Sequence, residues 1–436
     1  MIIIIHICII LIHLSHYLYN WSDYFKEGFI MEEILKKFEG VDIPSVKKVA
    51  VAYSGGVDSC LCIELLKRVY HADEIVPIMV DVGQGKEEID TAFEKANILK
   101  IEPIVIDAKS EFVKKWIPMA IMANADYMGY PVSTSMTRQL IANIVAVKGK
   151  ELGCDALMEG SSGKGNDQYR MHNVFKLFAP EISILVPVRD FDLTRKEEEK
   201  LCELWGIYVT EKITGGDDKT LWCRSIASGA IDLDQELPDD LWMWTKALEN
   251  TPNEPEFIDI SFEKGIPISL NGEMIGLLEL LTKLNKIGGL HGIGKIDIFE
   301  EGIMNLKSRE IYEAPGATII LKIHKDLEQM CLTKEEILFK KLVEQKWGYL
   351  VYHGGWFHPL KDSLDSYILK SQEHISGTYK VKLYKGNIEI IKRESASSLF
   401  APEIRSIKAG GIDQRISKDA AKVMGLMYEV LAKRSR

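Results

Sequence analysis

The chain has 436 residues, 46% hydrophobic and 27% charged, an ordinary balance for globular protein with material for two domains. Its 54 basic against 64 acidic side chains leave a formal charge of -10 with no long basic run, which argues against a nucleic-acid binder and leaves small anionic substrates to local positive sites. The seven cysteines (Cys8, Cys60, Cys62, Cys154, Cys202, Cys223, Cys331) form no Cys-x-x-Cys pair and no zinc spacing, so reduced structural thiols, a cytoplasmic setting and no metal site are expected.

The opening run MIIIIHICIILIHLSHYLYN is apolar, but His6 and His13 interrupt it, no basic residue precedes Lys26, and it falls short of a bilayer span. Residues 1–30 read as an extension from an upstream start, with a weak membrane anchor as the alternative, and Met31 as the natural beginning of the rest.

Residues 46–53 alternate and are rich in β-branched side chains, whereas residues 60–69 have helical periodicity. AYSGGVDS therefore joins a strand to a helix, a junction that turns unpaired amide N–H groups and the positive end of the helix dipole outward. Gly55 and Gly56 let an anion approach closely, and Ser54 and Ser59 add hydroxyl donors, so a phosphate fits. The loop carries no lysine of the Gly-x-x-x-x-Gly-Lys-Ser/Thr kind, which disfavours γ-phosphoryl transfer. The plain alternative is a glycine-rich turn with Asp58 as helix N-cap.

Further β-like runs at 75–81, 103–107, 155–159 and 184–188 alternate with helix-like stretches. That pattern predicts an α/β fold with a mostly parallel sheet and ligands outside the carboxyl ends of its strands. The fourth run leads into EGSSGKGNDQYRMH, a flexible turn followed by a helix from about Asn166. Asn166 and Arg170 stand at i and i+4, with Asp167 three before Arg170, so all three can face one pocket. An arginine that reads a carboxylate beside a carboxylate that reads an amine suits an amino-acid substrate. The alternative is a helix-surface Asp–Arg pair worth about half a kcal/mol. Thr194 and Glu197 form a capping box for a helix running to Trp205, which closes a first domain at 31–210.

Residues 211–410 read as an α+β second domain, with β-like runs at 257–262, 317–322 and 377–384. His291 has no partner at metal-site spacing and reads as structural. Taken alone, Glu300 reads as a solvated strand-end carboxylate and Tyr312 as a core aromatic with its hydroxyl at the rim. In 411–436, Ala420, Val423, Met424, Met427, Val430 and Leu431 make an apolar helical stripe that covers either its own domain or a neighbouring subunit.

AYSGGVDS, VDVGQG, YPVSTSMTRQLIA, GSSGKGNDQYR, DLTRKEEE, LWCRSI, LNKIGGLHGIGKIDIFEEGIMNLKSREIYEAPG and KLYKGN occur in the order and spacing of the argininosuccinate synthase family, and the chain resembles it over residues 46–400. The resemblance implies a parallel-sheet nucleotide-binding domain of the pyrophosphate-loop type, an α+β synthetase domain and a C-terminal amphipathic helix. It implies a cytoplasmic homotetramer, held partly by that helix, in arginine biosynthesis. The implied reaction uses ATP with Mg2+: the ureido oxygen of citrulline attacks the α-phosphate, giving citrullyl-AMP and pyrophosphate, and the amine of aspartate then displaces AMP. By matching position, Ala52, Tyr53, Ser54, Gly55, Gly56, Val57, Asp58, Ser59, Val80, Gln84, Gly160 and Gly163 are implied at ATP. Ser162, Asn166 and Asp167 are implied at aspartate, and Tyr130, Ser135, Asn166, Arg170, Ser225, Glu300 and Tyr312 at citrulline. Asp58, Asn166, Asp167 and Arg170 are the implied catalytic set.

The chain departs from the family pattern at Cys60, at Glu159 in place of a histidine, at Gly216 in place of a serine, at Lys219, at Glu301-Gly302 and at Thr137 and Gln139 around Arg138. These departures leave open an alternative, a paralogue that adenylates another ureido or amide acceptor.

Overall fold

The computed structural model describes residues 32–208, 217–226, 236–408 and 410–434. The expectations for residues 1–30 and for Gly216 lie outside the described residues.

Five parallel strands form the first sheet: β1 (Lys48–Ala52), β2 (Glu74–Asp81), β3 (Ile104–Asp107), β4 (Ala156–Met158) and β5 (Ser183–Leu185), in the order β3-β2-β1-β4-β5. They alternate with α1 (Val57–Arg68), α2 (Lys86–Leu99), α3 (Ser133–Glu151) and α4 (Asp167–Phe178), and α5 (Arg195–Leu204) follows β5. Both faces of the sheet are covered, as a parallel sheet requires. Val49 and Val51 of β1 pack with Leu61, Leu65 and Leu201, while Ala50 between them packs to the opposite side with Leu140 and Leu157. The expected fifth strand is shorter than residues 184–188, because Pro187 has no ladder donor and opens a helical turn at Pro187–Asp190. The strand order reverses between β1 and β4, which opens a crevice at their carboxyl ends.

The rest of the chain adds two antiparallel sheets. One has the order β11-β12-β7-β6, from β6 (Asp217–Lys219), β7 (Arg224–Ile226), β11 (Lys295–Glu301) and β12 (Lys307–Glu313). The other has the order β10-β9-β8-β13-β14, from β8 (Glu256–Glu263), β9 (Ile266–Leu270), β10 (Glu273–Met274), β13 (Gly377–Tyr384) and β14 (Asn387–Glu394). Helices α6 (Leu277–Leu290), α7 (Pro315–Cys331), α8 (Lys334–Tyr352) and α9 (Pro359–Ser371) pack among them.

The β-like run at 317–322 is helical and belongs to α7. Pro315 sits in the first turn, and Ala317, Ile320, Leu321, His324 and Leu327 recur on one buried face, so packing overrides the β propensity of the isoleucines. One apolar core joins the two parts of the chain: Ile78 and Val80 share a cluster with Phe262, Ile320 and Val381.

Helix α10 (Ser417–Arg434) buries none of its residues, and Met424 and Met427 are 77% and 64% exposed. It does not cover its own domain, and that reading of its stripe is overturned. No helix among the described residues is long and apolar enough to cross a membrane.

Candidate functional site

The loop after β1 is tied by hydrogen bonds within itself. Gly56 N–H donates to Ser54 Oγ at 3.2 Å, Ser59 Oγ donates to the Gly56 carbonyl at 3.1 Å, and Ser54 N–H reaches Ser59 Oγ at 3.3 Å. Gly55 has φ +74°, and a Cβ there would stand 2.6 Å from Ala92, so both conformation and space require glycine. Gly56 is the N-cap of α1 and Val57 its first residue, with Asp58 in the first turn, which overturns the reading of Asp58 as cap. Tyr53 donates its hydroxyl to the Ala92 carbonyl at 2.9 Å, and burial pushes its phenol up. Ala52 ends β1 beside β2, where Gln84 accepts from Val82 N–H at 2.9 Å and donates to the Val80 carbonyl at 3.2 Å.

Two cations stand near this loop that its own sequence lacks. Lys95 of α2 donates to the Gly55 carbonyl at 2.9 Å. Arg195, the first residue of α5, pairs with Asp58 and lies 3.1 Å from Glu198, whose carboxyl burial and then the Asp58 charge push up to about 9.

The loop after β4 lies directly beside the first, because β4 pairs with β1 in parallel. A Cβ at Gly160 would stand 2.9 Å from Asp58 Cβ and 3.1 Å from its backbone carbon; one at Gly163 would stand 3.0 Å from Arg189 Cγ. Glu159 is buried and accepts from Ser161 N–H and Oγ–H, each at 2.7 Å; burial raises its carboxyl to about 7. The Ser162 carbonyl accepts from Gly165 N–H to close the turn.

Helix α4 then begins with Asn166 as N-cap. Asp167 accepts from Arg170 Nη1 at 2.9 Å and from Arg138 Nε at 2.7 Å, while Arg138 Nη2 donates to Asp218 at 2.7 Å. Burial acts to raise the Asp167 carboxyl, but the charges of Arg138 and Arg170 outweigh it and hold the pKa low. Arg170 is 5% exposed, donates Nε to the Tyr352 carbonyl at 2.8 Å and lies 4.8 Å from the Tyr352 ring centroid. A solvated helix-surface Asp–Arg pair is therefore excluded.

The remaining implied residues come from β7, β11, β12 and the segment that opens α3. Tyr312 of β12 is paired in register with Ser225 of β7, and its hydroxyl donates to Glu300 of β11 at 2.7 Å. Glu300 is 2% exposed, which overturns the solvated reading; burial lifts its carboxyl to about 7 against the pull of the Tyr352 and Tyr312 hydroxyls. Tyr130 stacks on Tyr312 at 4.2 Å, and its hydroxyl accepts from Thr134 N–H at 2.5 Å, so Tyr130 braces the start of α3 and offers the site mainly its ring. Ser135 Oγ is buried without a hydrogen-bond partner.

Sequence reasoning missed Lys95, Arg195 and Tyr352 and noted Arg138 only as a departure. Lys95 and Arg195 lie on helices flanking the loop, where an inward-facing cation was a usable signal. Tyr352 had none, since its contact with Arg170 spans 182 residues.

Comparisons with known proteins show which family the chain is similar to. The family model described as the arginosuccinate synthase N-terminal HUP domain matches residues 48–208, and that of the arginosuccinate synthase C-terminal domain matches residues 216–431. The chain is 42% identical over 391 residues to the argininosuccinate synthase of Methanosarcina acetivorans, covering 89% of this chain and 99% of the relative. It is 43% identical over 397 residues to that of Methanocaldococcus jannaschii, covering 89% and 100%. The argininosuccinate synthase of Microcystis aeruginosa is 38% identical over 396 residues, covering 89% and 98%.

Proposed function

The chain belongs to the argininosuccinate synthase family, and from that premise we propose how its residues divide the work of joining citrulline to aspartate at the expense of ATP. It is a C–N bond-forming ligase of arginine biosynthesis and uses ATP. The alternative, another ureido or amide acceptor, is not favoured by relatives that match nearly their whole length.

ATP lies along the β1–β4 crevice. The amides of Ser54–Ser59 and the dipole of α1 hold the departing pyrophosphate, and Lys95 and Arg195 add positive charge beside it. Val80 and Gln84 shape the nucleotide side of the crevice, and Gly160 and Gly163 leave the phosphates room. A Mg2+ ion would enter with the nucleotide: among the described residues no cluster of three or more His, Cys, Asp or Glu could hold one without the phosphates.

Citrulline lies between Ser135, Ser225, Glu300, Arg170 and the Tyr130–Tyr312 stack. The buried, unpartnered Ser135 hydroxyl supports this reading, because such a group costs about 1–3 kcal/mol unless a ligand satisfies it. Aspartate lies against Ser162, Asn166 and Asp167, with Asn166 reaching both amino acids. Catalysis is then chiefly positioning and charge stabilisation. The observation that carries the proposal is the contact of Gly160 with Asp58, which merges the ATP loop and the aspartate loop into one crevice.

The chain acts in the cytoplasm as a homotetramer, with the uncovered stripe of α10 seated on a neighbouring subunit. The test of the reaction is pyrophosphate release from ATP and Mg2+ with citrulline and aspartate supplied separately and together. Release that requires citrulline, with argininosuccinate formed only when aspartate is added, is expected; release indifferent to citrulline overturns the assignment.

A further inference from the structure

Tyr352 is the last residue of α8, outside every motif of the site, yet it touches three of the site's residues. Its hydroxyl accepts from Asn166 Nδ2 at 2.9 Å and lies beside the Glu300 carboxyl, which it helps to hold down. Its carbonyl accepts from Arg170, and its ring stacks on Tyr127 at 3.7 Å and 16°. Tyr127 in turn donates to the Glu301 carbonyl at 3.0 Å. Ring, backbone and hydroxyl are all engaged.

The direction of each bond follows from the donors available. Asn166 Oδ1 faces Ile303 N–H at 2.9 Å, and a backbone amide can only donate, so the amide oxygen is on that side and Nδ2 faces Tyr352. A phenol has one proton; having accepted from Asn166, Tyr352 has that proton left to offer the Glu300 carboxylate beside it. Tyr312 gives a second proton to the same carboxylate. The result is a one-way chain from Asn166 through Tyr352 to Glu300. Gly302 makes room for it, since a Cβ there would stand 2.6 Å from Asn166 Oδ1.

We propose that Tyr352 is a positioning residue that couples the two amino-acid sites, its hydroxyl fixing Asn166 and Glu300 relative to one another so that both substrates meet in one orientation. This rests on the assignment of Asn166 and Glu300 made above. Attack of one bound substrate on another depends steeply on alignment, and a single hydroxyl that holds residues from both sites transmits the placement of each to the other. Around Glu300 stand Arg170 on α4, Glu310 and Tyr312 on β12, Tyr352 on α8, Tyr127 and Tyr130 ahead of α3, and Cys223 ahead of β7.

The test compares wild type, Tyr352→Phe and Tyr312→Phe in steady-state kinetics with ATP, citrulline and aspartate. In Tyr352→Phe the KM values for citrulline and aspartate rise together, each by up to about tenfold, the upper end for one lost neutral hydrogen bond. The KM for ATP stays within about twofold, and the acid limb of the citrulline profile moves to higher pH because Glu300 has lost a donor. Tyr312→Phe also removes a donor from Glu300 but not the link to Asn166, so it moves the acid limb and the citrulline KM and leaves the aspartate KM unchanged. The proposal is overturned if Tyr352→Phe leaves both amino-acid KM values and the acid limb in place. It is equally overturned if the ATP KM rises with the others, or if the two variants affect aspartate alike. Wild type that forms no argininosuccinate overturns instead the reading on which it rests.

Discussion

Tyr312 donates its hydroxyl proton to Glu300 Oε1 at 2.7 Å across the β11–β12 hairpin, and both side chains are buried. The bond holds a carboxylate in a place where water cannot solvate it, so function and stability oppose each other there.

Glu300 has its pKa raised from 4.5 to about 7, with burial as the chief cause. Below pH 4.5 the group is protonated in the folded and unfolded chain alike, and its contribution to stability is at its most favourable. That contribution is lost as pH rises through about 7, where the folded protein must hold the charge. Linkage puts the cost at no more than about 3 kcal/mol. Glu300→Gln is therefore expected to melt at higher temperature than wild type at pH 8, with the difference shrinking toward pH 5. The same variant should lose at least about a hundredfold in kcat/KM for citrulline, since Gln lacks the charge that holds the substrate. Equal melting temperatures at pH 8 would refute the burial argument.

Gly160 stands where the two loops touch. A methyl group there meets the backbone of Asp58, which cannot swing aside as a side-chain end can. Gly160→Ala should raise the KM for ATP at least tenfold and lower stability by about 1–3 kcal/mol, the usual cost of overpacking. Equilibrium binding of an ATP analogue checks this, and wild-type affinity in the variant would sink the idea.

Arg138 bridges Asp167 and Asp218 with two nitrogens of one guanidinium, a geometry that an ammonium group cannot reproduce. Arg138→Ala and Arg138→Lys should both raise the KM for aspartate, the alanine variant by about tenfold or more, as expected for a lost charge-assisted bond. Citrulline-dependent pyrophosphate release should persist in both. Loss of that release, with the aspartate KM unchanged, would place Arg138 at the first half-reaction instead.

The stripe on α10 predicts a surface-dependent assembly. Val423, Met424, Met427 and Val430 are all exposed in the single chain. Replacing Met424 and Met427 by Asp should lower the mass seen by light scattering from that of a tetramer while leaving the circular dichroism of the rest of the chain intact. A wild-type mass equal to one chain would rule out the assembly.

Much of the first half was legible in the sequence because its signals are local. A strand period of two, a helix period near 3.6 and glycines at the junctions place AYSGGVDS and GSSGKGNDQYR at strand ends without reference to anything distant. The run at 317–322 was misread because a short β-branched stretch is ambiguous by itself, and only the buried face of α7, continued to Leu327, resolves it. The solvated reading of Glu300 failed for a similar reason: burial comes from other elements, and no neighbour in sequence reports it.

The sequence by itself determined the parallel sheet and the glycine-rich turns at its strand ends, since backbone geometry and short-range donors are written within a few residues. Only the tertiary structure brings Lys95 and Arg195 beside the loop, sets Arg138 against Asp167, and seats the Tyr352 hydroxyl on Asn166. These are contacts between side chains from separate elements, and their partners are chosen by how the helices and sheets pack, which no local period encodes.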